Sequence, residues 1–153
     1  MTFTLERLLD SICGVLKENY PDVPTYSNLN KQGTSVPCFF VFFMPTDTEN
    51  RMGRRYMRNI GIDIVYLVEN SDLDMYDQMV SVADQLDFSL EFIPCEDVKL
   101  RTYDREWKID EDELHYQFTV KAIVSYPDDT PAIESAESYE GGIKQDAQQS
   151  GTS

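Results

Sequence analysis

Guanidinium groups are the most concentrated chemical groups in this sequence. Arg51, Arg54, Arg55 and Arg58 fall within eight residues of a 153-residue chain whose formal net charge is -15 at pH 7. A guanidinium binds a carboxylate through paired, charge-assisted hydrogen bonds. A cationic cluster on an acidic chain therefore predicts a docking surface rather than a catalytic centre.

The same run contains side chains suited to the middle of an interface. Tyr56 and Met57 lie among the arginines and would supply apolar contact area inside a charged rim. In a head-to-tail contact, this basic patch would meet an acidic patch on the next copy, and repeated contacts would close into a ring. A solvated hairpin tip that balances nearby acids is the simpler alternative. The predicted subunit or tube interface consists of Arg51, Arg54, Arg55, Tyr56, Met57 and Arg58.

The other reactive side chains show no catalytic or metal-binding pattern. His115 is the single histidine, and its place in an alternating segment indicates an ordinary strand residue. The acidic residues 110–113 lack the glycine and distal glutamate of a calcium loop, so they are typical of a solvated turn. The sequence contains neither a zinc ligand set nor a glycine-rich phosphate motif. We expect a protein that is not an enzyme, without metal or cofactor.

The cysteines and the N-terminal segment indicate a cytoplasmic protein. Cys13, Cys38 and Cys95 are odd in number and widely spaced, which predicts reduced thiols. Glu6 and Asp10 interrupt the region where a signal peptide would be apolar. No run of about 18 apolar residues is present, so we expect no membrane span.

The charge balance argues against close binding of nucleic acid. The chain has 28 Asp and Glu residues against 13 Lys and Arg residues. Proteins bind DNA by releasing counterions through a basic surface, so a duplex would be repelled here except near the arginine run. An acidic DNA mimic that inhibits a nucleic-acid enzyme would explain this acidity, but it would leave the arginine cluster unexplained.

Two amphipathic helices are predicted to support the sheet. The first runs from about Thr4 to Asn19, where Pro21 ends it. Its apolar side chains are Leu5, Leu8, Leu9, Ile12, Val15 and Leu16. The second is capped by Ser71 or Asp72 and ends before Pro94. Its apolar stripe is Tyr76, Met79, Val80, Ala83 and Leu86.

The arginine run lies between two predicted strands. Residues 37–45 form a continuous apolar segment between prolines, which predicts a central strand buried on both faces. The polar residues 46–53 are predicted to form a loop. From 56 to 68 apolar and polar residues alternate, with Asp63 on one face. The opposite face carries Ile60, Ile62, Ile64 and Tyr66. These strands are predicted to form an antiparallel hairpin with a long, polar, basic tip.

The remaining strands complete an α+β domain. Residues 25–26 are predicted to form a short strand, and 98–107 and 114–124 a second hairpin. The order α-β-β-β-α-β-β favours two helices packed on one face of a mainly antiparallel sheet, with a domain spanning 1–126. Residues 127–153 lose their large apolar side chains, and a flexible acidic tail rich in Gly, Ser, Pro and Gln is predicted there.

This sequence resembles the tail terminator proteins of tailed bacteriophages, particularly those of prophages and phage-tail-like particles of Gram-positive bacteria. The resemblance covers roughly residues 1 to 126. It is carried by the order of elements, by "PCFFVFFMP" at 37–45 and by "MGRRYMRNIGIDIVYLVE" at 52–69. Within the second motif, Arg54, Arg55 and Tyr56 match its recognisable part.

The resemblance implies a structural protein of the virion tail and neck. It implies a homo-oligomeric ring of about six copies that caps the tail tube. Such a ring would stop growth of the tube and, in a contractile tail, of the sheath, and would offer a surface to the head-side connector protein. DNA would only pass through its channel. Assembly would take place in the host bacterial cytoplasm. Another neck or head-completion ring protein is the alternative within the same class.

Overall fold

A computed structural model describes residues 3–27, 35–69 and 73–125 of the chain. Its elements are α1 Leu5–Asn19, β1 Thr25–Tyr26, β2 Cys38–Arg51, β3 Arg55–Leu67, α2 Met75–Ser89, β4 Phe92–Cys95, β5 Val98–Asp110 and β6 Glu113–Ser125. The predicted tail, and the predicted helix cap at Ser71 or Asp72, lie outside the described residues. The α+β class is confirmed.

Helix α1 agrees with its prediction in both bounds and in its buried stripe. The Thr4 side chain accepts a hydrogen bond from the backbone N–H of Arg7 at 3.1 Å, which satisfies an N–H group that has no partner inside the helix. The buried side chains are Leu8, Ile12, Val15 and Leu16.

Helix α2 is correctly predicted as a helix, but its buried stripe is displaced. Its buried side chains are Met79, Val82, Ala83 and Leu86. Tyr76 was expected in this stripe and is instead 63% exposed, whereas Met75 packs against the core. Since Met75 precedes Met79 by four residues, it continues the stripe that the sheet covers. Apolar residues stand on two neighbouring stripes of α2, and periodicity alone does not say which one is buried.

The six strands form one mixed sheet in the order β1-β2-β3-β6-β5-β4. Strand β1 lies parallel to β2, while β4 with β5 and β5 with β6 are antiparallel. The predicted element order lacked β4. The predicted mainly antiparallel character is only partly correct, because β1 lies parallel to β2. Strand β4 has four residues, includes Pro94 and lies at the sheet edge, which is where proline is tolerated.

The predicted loop at 46–53 is wrong, because β2 continues to Arg51 and only Met52–Arg54 connect it to β3. Side chains hold this polar ribbon together. Asn59 Nδ2 donates to Asp47 Oδ1 at 2.6 Å and to Glu49 Oε2 at 2.7 Å. A ribbon exposed to water on both faces has the polar composition of a loop, so composition does not distinguish the two. The tip is consequently short, although the predicted hairpin is present.

The main core lies between the two helices and one face of the sheet. It contains buried residues of both helices together with Ile60, Ile62, Ile64 and Tyr66, as predicted. A smaller cluster of Cys38, Phe40 and Val65 lies on the opposite face, since successive strand residues point to opposite sides. The start of β2 is therefore buried on both faces, as predicted. It is second from the sheet edge rather than central.

The chain separates into two compact units. One comprises 1–51 and 56–124 and contains both helices and the main core. The other groups Met52–Arg55 with 125–153, of which the structure describes Met52–Arg55 and Ser125. The division predicted at residue 126 stays a prediction.

Candidate subunit interface

The turn between β2 and β3 has a constrained backbone. Gly53 and Arg54 have φ values of 74° and 60°, in the left-handed region that glycine adopts freely and arginine adopts at a cost. Arg55 Nε donates to the carbonyl oxygen of Met52 at 3.3 Å. Met52 is 86% exposed, and the three residues that follow it are exposed too. The turn therefore displays two guanidinium groups beside a flexible thioether.

The strand ends that flank the turn carry the rest of the predicted interface. Arg51 Nη2 contacts the sulfur of Met57 at 3.3 Å, and the Arg58 guanidinium lies 6.0 Å from the ring centroid of Phe3. Tyr56 is half-buried. Among the residues that the structure describes, no ion pair involves Arg51, Arg55 or Arg58. Their charges are thus not neutralised by described carboxylates of the same chain.

A second surface, not anticipated from the sequence, lies between α2 and β5. Its cavity has a volume of about 290 Å³ and is lined by Asp77, Val80, Ser81, Asp84, Asp87 and Trp107. Asp77 and Asp84 are exposed and lie two helical turns apart, so they share one side of α2. Trp107 is 40% exposed and faces this helix from β5. We call this surface the α2–β5 groove.

Asp87 of the groove is anchored to the core. The hydroxyl of Tyr116 donates to Asp87 Oδ1 at 2.5 Å. Burial raises the pKa of Tyr116, and the hydrogen bond to Asp87 raises it further, so the phenol stays protonated at neutral pH. Asp87 also borders a larger, open cavity of about 660 Å³, where Phe88 is 77% exposed.

The sheet face opposite the helices carries a histidine between two carboxylates. His115 Nδ1 lies 3.1 Å from Asp63 Oδ2, and its Nε2 lies 3.5 Å from Glu113 Oε1. The sequence indicates an ordinary strand residue, and it does not reveal this contact because Asp63 and His115 are 52 positions apart. Within the described ranges, no group of three or more His, Cys, Asp or Glu side chains is arranged to hold a metal ion.

The three cysteines are free thiols, as predicted. Cys38 and Cys95 are fully buried. Burial raises the pKa of the Cys13 thiol, and nearby Asp10 acts in the same direction against Lys17. A raised pKa keeps this thiol protonated and a poor nucleophile.

In the described part of the chain, no helix is both long and apolar enough to span a membrane.

The described residues form an acidic α+β domain with a cationic hairpin and an acidic groove that contains an aromatic side chain. The sequence profile of the family described as phage tail terminator protein matches residues 7–132, and the chain belongs to this family. The family is one of structural proteins that terminate phage tails, which identifies the chain as a tail component.

Other comparisons add little to this assignment. No curated protein matches the chain significantly. One solved structure aligns with 82% of this chain and 99% of its own, at 10% sequence identity and a TM-score of 0.42. A likeness this remote carries no argument about function.

Proposed function

We propose that about six copies of this protein close into a ring on the last ring of the tail tube and stop its polymerisation. The ring also stops a sheath where one is present, and offers its other side to the head-side connector protein. Assembly takes place in the bacterial cytoplasm, and the protein then remains at the tail neck. The family match over residues 7–132 carries this proposal.

Two physical properties of the chain support the proposal. A net charge of -15 on each copy would give the ring an anionic channel, past which DNA can move without binding. The arginines at 51–58 supply a localised attractive surface on a chain that would otherwise repel its own copies.

The family match also favours this function over the two alternatives. A head-completion or other neck ring would bind the head connector rather than the tube. An acidic DNA mimic would compete with DNA for an enzyme and would not need an arginine-rich hairpin. Binding of the purified protein to isolated tubes, to connectors or to a DNA-binding enzyme separates the three.

The direct test is electron microscopy of purified tail tubes with and without the protein. We expect a ring with a central hole at one end of each tube, and no further growth from that end when tube subunits are added. The double variant Arg54→Glu, Arg55→Glu should stay folded and leave the ends open, since both side chains are exposed. Tubes that keep growing with wild-type protein bound at their ends would contradict the proposal.

A further inference from the structure

We propose that the α2–β5 groove is the acceptor for the arginine hairpin of the neighbouring copy. Here the arginine hairpin means residues 51–58. The inference rests on the ring proposed above and assigns its subunit contact. It commits to a second copy of this chain as the occupant of the groove.

Charge is segregated along the chain in a way that creates two complementary surfaces. The arginine hairpin carries four cations in eight residues. The next 40 residues, 59–98, contain no Lys or Arg and ten Asp or Glu residues. Helix α2 lies within this stretch and has no cation in its sequence. A hairpin and a helix of opposite charge on identical copies attract each other and steer the encounter.

The groove has the chemistry that a guanidinium group requires. Asp77 and Asp84 stand on its rim, and the indole of Trp107 forms one wall. Arginine pairs with a carboxylate through two parallel hydrogen bonds and can at the same time stack on an aromatic face. Among the described residues, no side-chain hydrogen bond or ion pair engages the carboxylates of Asp77 and Asp84, so both carboxylates remain available to a partner.

Exposed apolar side chains accompany the charges on both surfaces. Met52 at the hairpin is 86% exposed. Tyr76 and Phe88 on α2 are 63% and 77% exposed, close in sequence to the aspartates of the groove. Protein interfaces combine such apolar contacts with a charged rim, and methionine, aromatic residues and arginine are enriched in them. The pairing therefore explains why large apolar groups are exposed on a strongly charged surface.

The contact joins two different surfaces of the molecule, so it is heterologous. Each copy would donate its hairpin to one neighbour and receive a hairpin from the other. A contact of this kind leads to a closed ring when the rotation between copies closes, rather than to a two-fold dimer.

The test uses two variants of the full chain, and neither is expected to form rings on its own. Variant one is Arg54→Glu, Arg55→Glu, and variant two is Asp77→Arg, Asp84→Arg. Alone, each places like charges in every contact, and self-association should weaken at least about tenfold. Mixed in equal amounts, they restore opposite charges in both contacts of an alternating ring. Sedimentation of each variant and of the mixture at low salt measures the effect.

A matched control carries the same charge change elsewhere. Asp10→Arg, Glu18→Arg alters two exposed acids of α1 and should leave assembly unchanged. Restored rings in the mixture, with each variant alone monomeric, support the proposal. It is overturned if variant two assembles like wild type, or if the mixture fails to assemble although circular dichroism shows both variants folded. Wild-type protein that stays monomeric at about 1 mM and low salt overturns it as well.

The outcomes for the groove and for the proposed function are separable. If wild-type protein caps tubes but variant two does so equally well, the groove assignment fails and the terminator function stands. If wild-type protein assembles through the groove but never caps tubes, the function fails and the subunit contact stands.

Discussion

Tyr116 connects the core of the sheet to the acidic side of α2. It is fully buried, and its hydroxyl donates to Asp87 at 2.5 Å. A buried hydroxyl without a partner would be costly, so Asp87 has a structural role in addition to its place in the groove. This is why the groove variants above change Asp77 and Asp84 and leave Asp87 intact.

Replacing Tyr116 with phenylalanine should lower the free energy of unfolding by about 1–2 kcal/mol at neutral pH, because one hydrogen bond is lost. The pKa of Tyr116 is raised in the folded state, so its contribution is complete below the pKa of an unfolded tyrosine, about 10. It is lost as the pH rises above that value. Urea denaturation at pH 7 and at alkaline pH should show a smaller alkaline loss for Tyr116→Phe than for wild type. Equal losses would contradict the assignment.

For single residues, the sequence predicted well which positions are buried, but it predicted poorly which side chains contact each other. The buried positions Ile60, Ile62 and Ile64 followed directly from alternation along one strand. The pairs Asp63 with His115 and Asp87 with Tyr116 join residues far apart in the chain, and single-strand patterns contain no information about strand order. The arginine cluster could be recognised from the sequence because its residues are neighbours along the chain. The α2–β5 groove could not, because Trp107 and Asp84 become neighbours only after folding.

Strands β2 and β3 approach each other closely at Gly61. A Cβ atom at this position would lie 2.9 Å from Met44 Cβ and 3.1 Å from the carbonyl oxygen of Pro45. Such distances require the two strands to shift. This close approach lies within the hairpin that displays the arginines.

Gly61→Ala should therefore lower the free energy of unfolding by about 1–3 kcal/mol, as overpacking commonly does. Gly14→Ala is the matched control, because nothing lies within 4 Å of its added Cβ and it is exposed in the middle of α1. It should stabilise the protein by about 0.5–1 kcal/mol. Thermal unfolding of both variants measures the difference. Equal and small effects at the two sites would contradict the packing described here.

Secondary structure was predicted correctly where one face of an element is buried. It was predicted wrongly at the end of β2, where both faces of the strand are exposed to solvent. Helix α1 has one apolar stripe, and its bounds were correct. The end of β2 has polar side chains on both faces, so residues 46–51 matched a loop in composition while forming a ladder. Strand β4 has four residues and includes Pro94, so it is too short to produce a periodic signal. The fold class was nevertheless predicted correctly, because it depends on the longer helices and strands.

At the scale of the whole molecule, the proposed ring requires that copies attract each other despite their like charge. A net charge of -15 opposes assembly, and the hairpin and groove would overcome this locally. Exposed charges are screened over about 10 Å at 0.1 M salt, so the proposed contact should weaken as salt is added. The chain belongs to the phage tail terminator family, and we propose that this association takes place at the end of a phage tail.

The most direct measurement is the length distribution of tail tubes in bacteria that produce all tail proteins with or without this one. With the protein present, we expect tubes of one length, each capped by a ring. In its absence, tubes should become overlong and heterogeneous, and resupply of the wild-type chain should restore the single length. Tubes of identical, uniform length in both cases would contradict a role in tail termination.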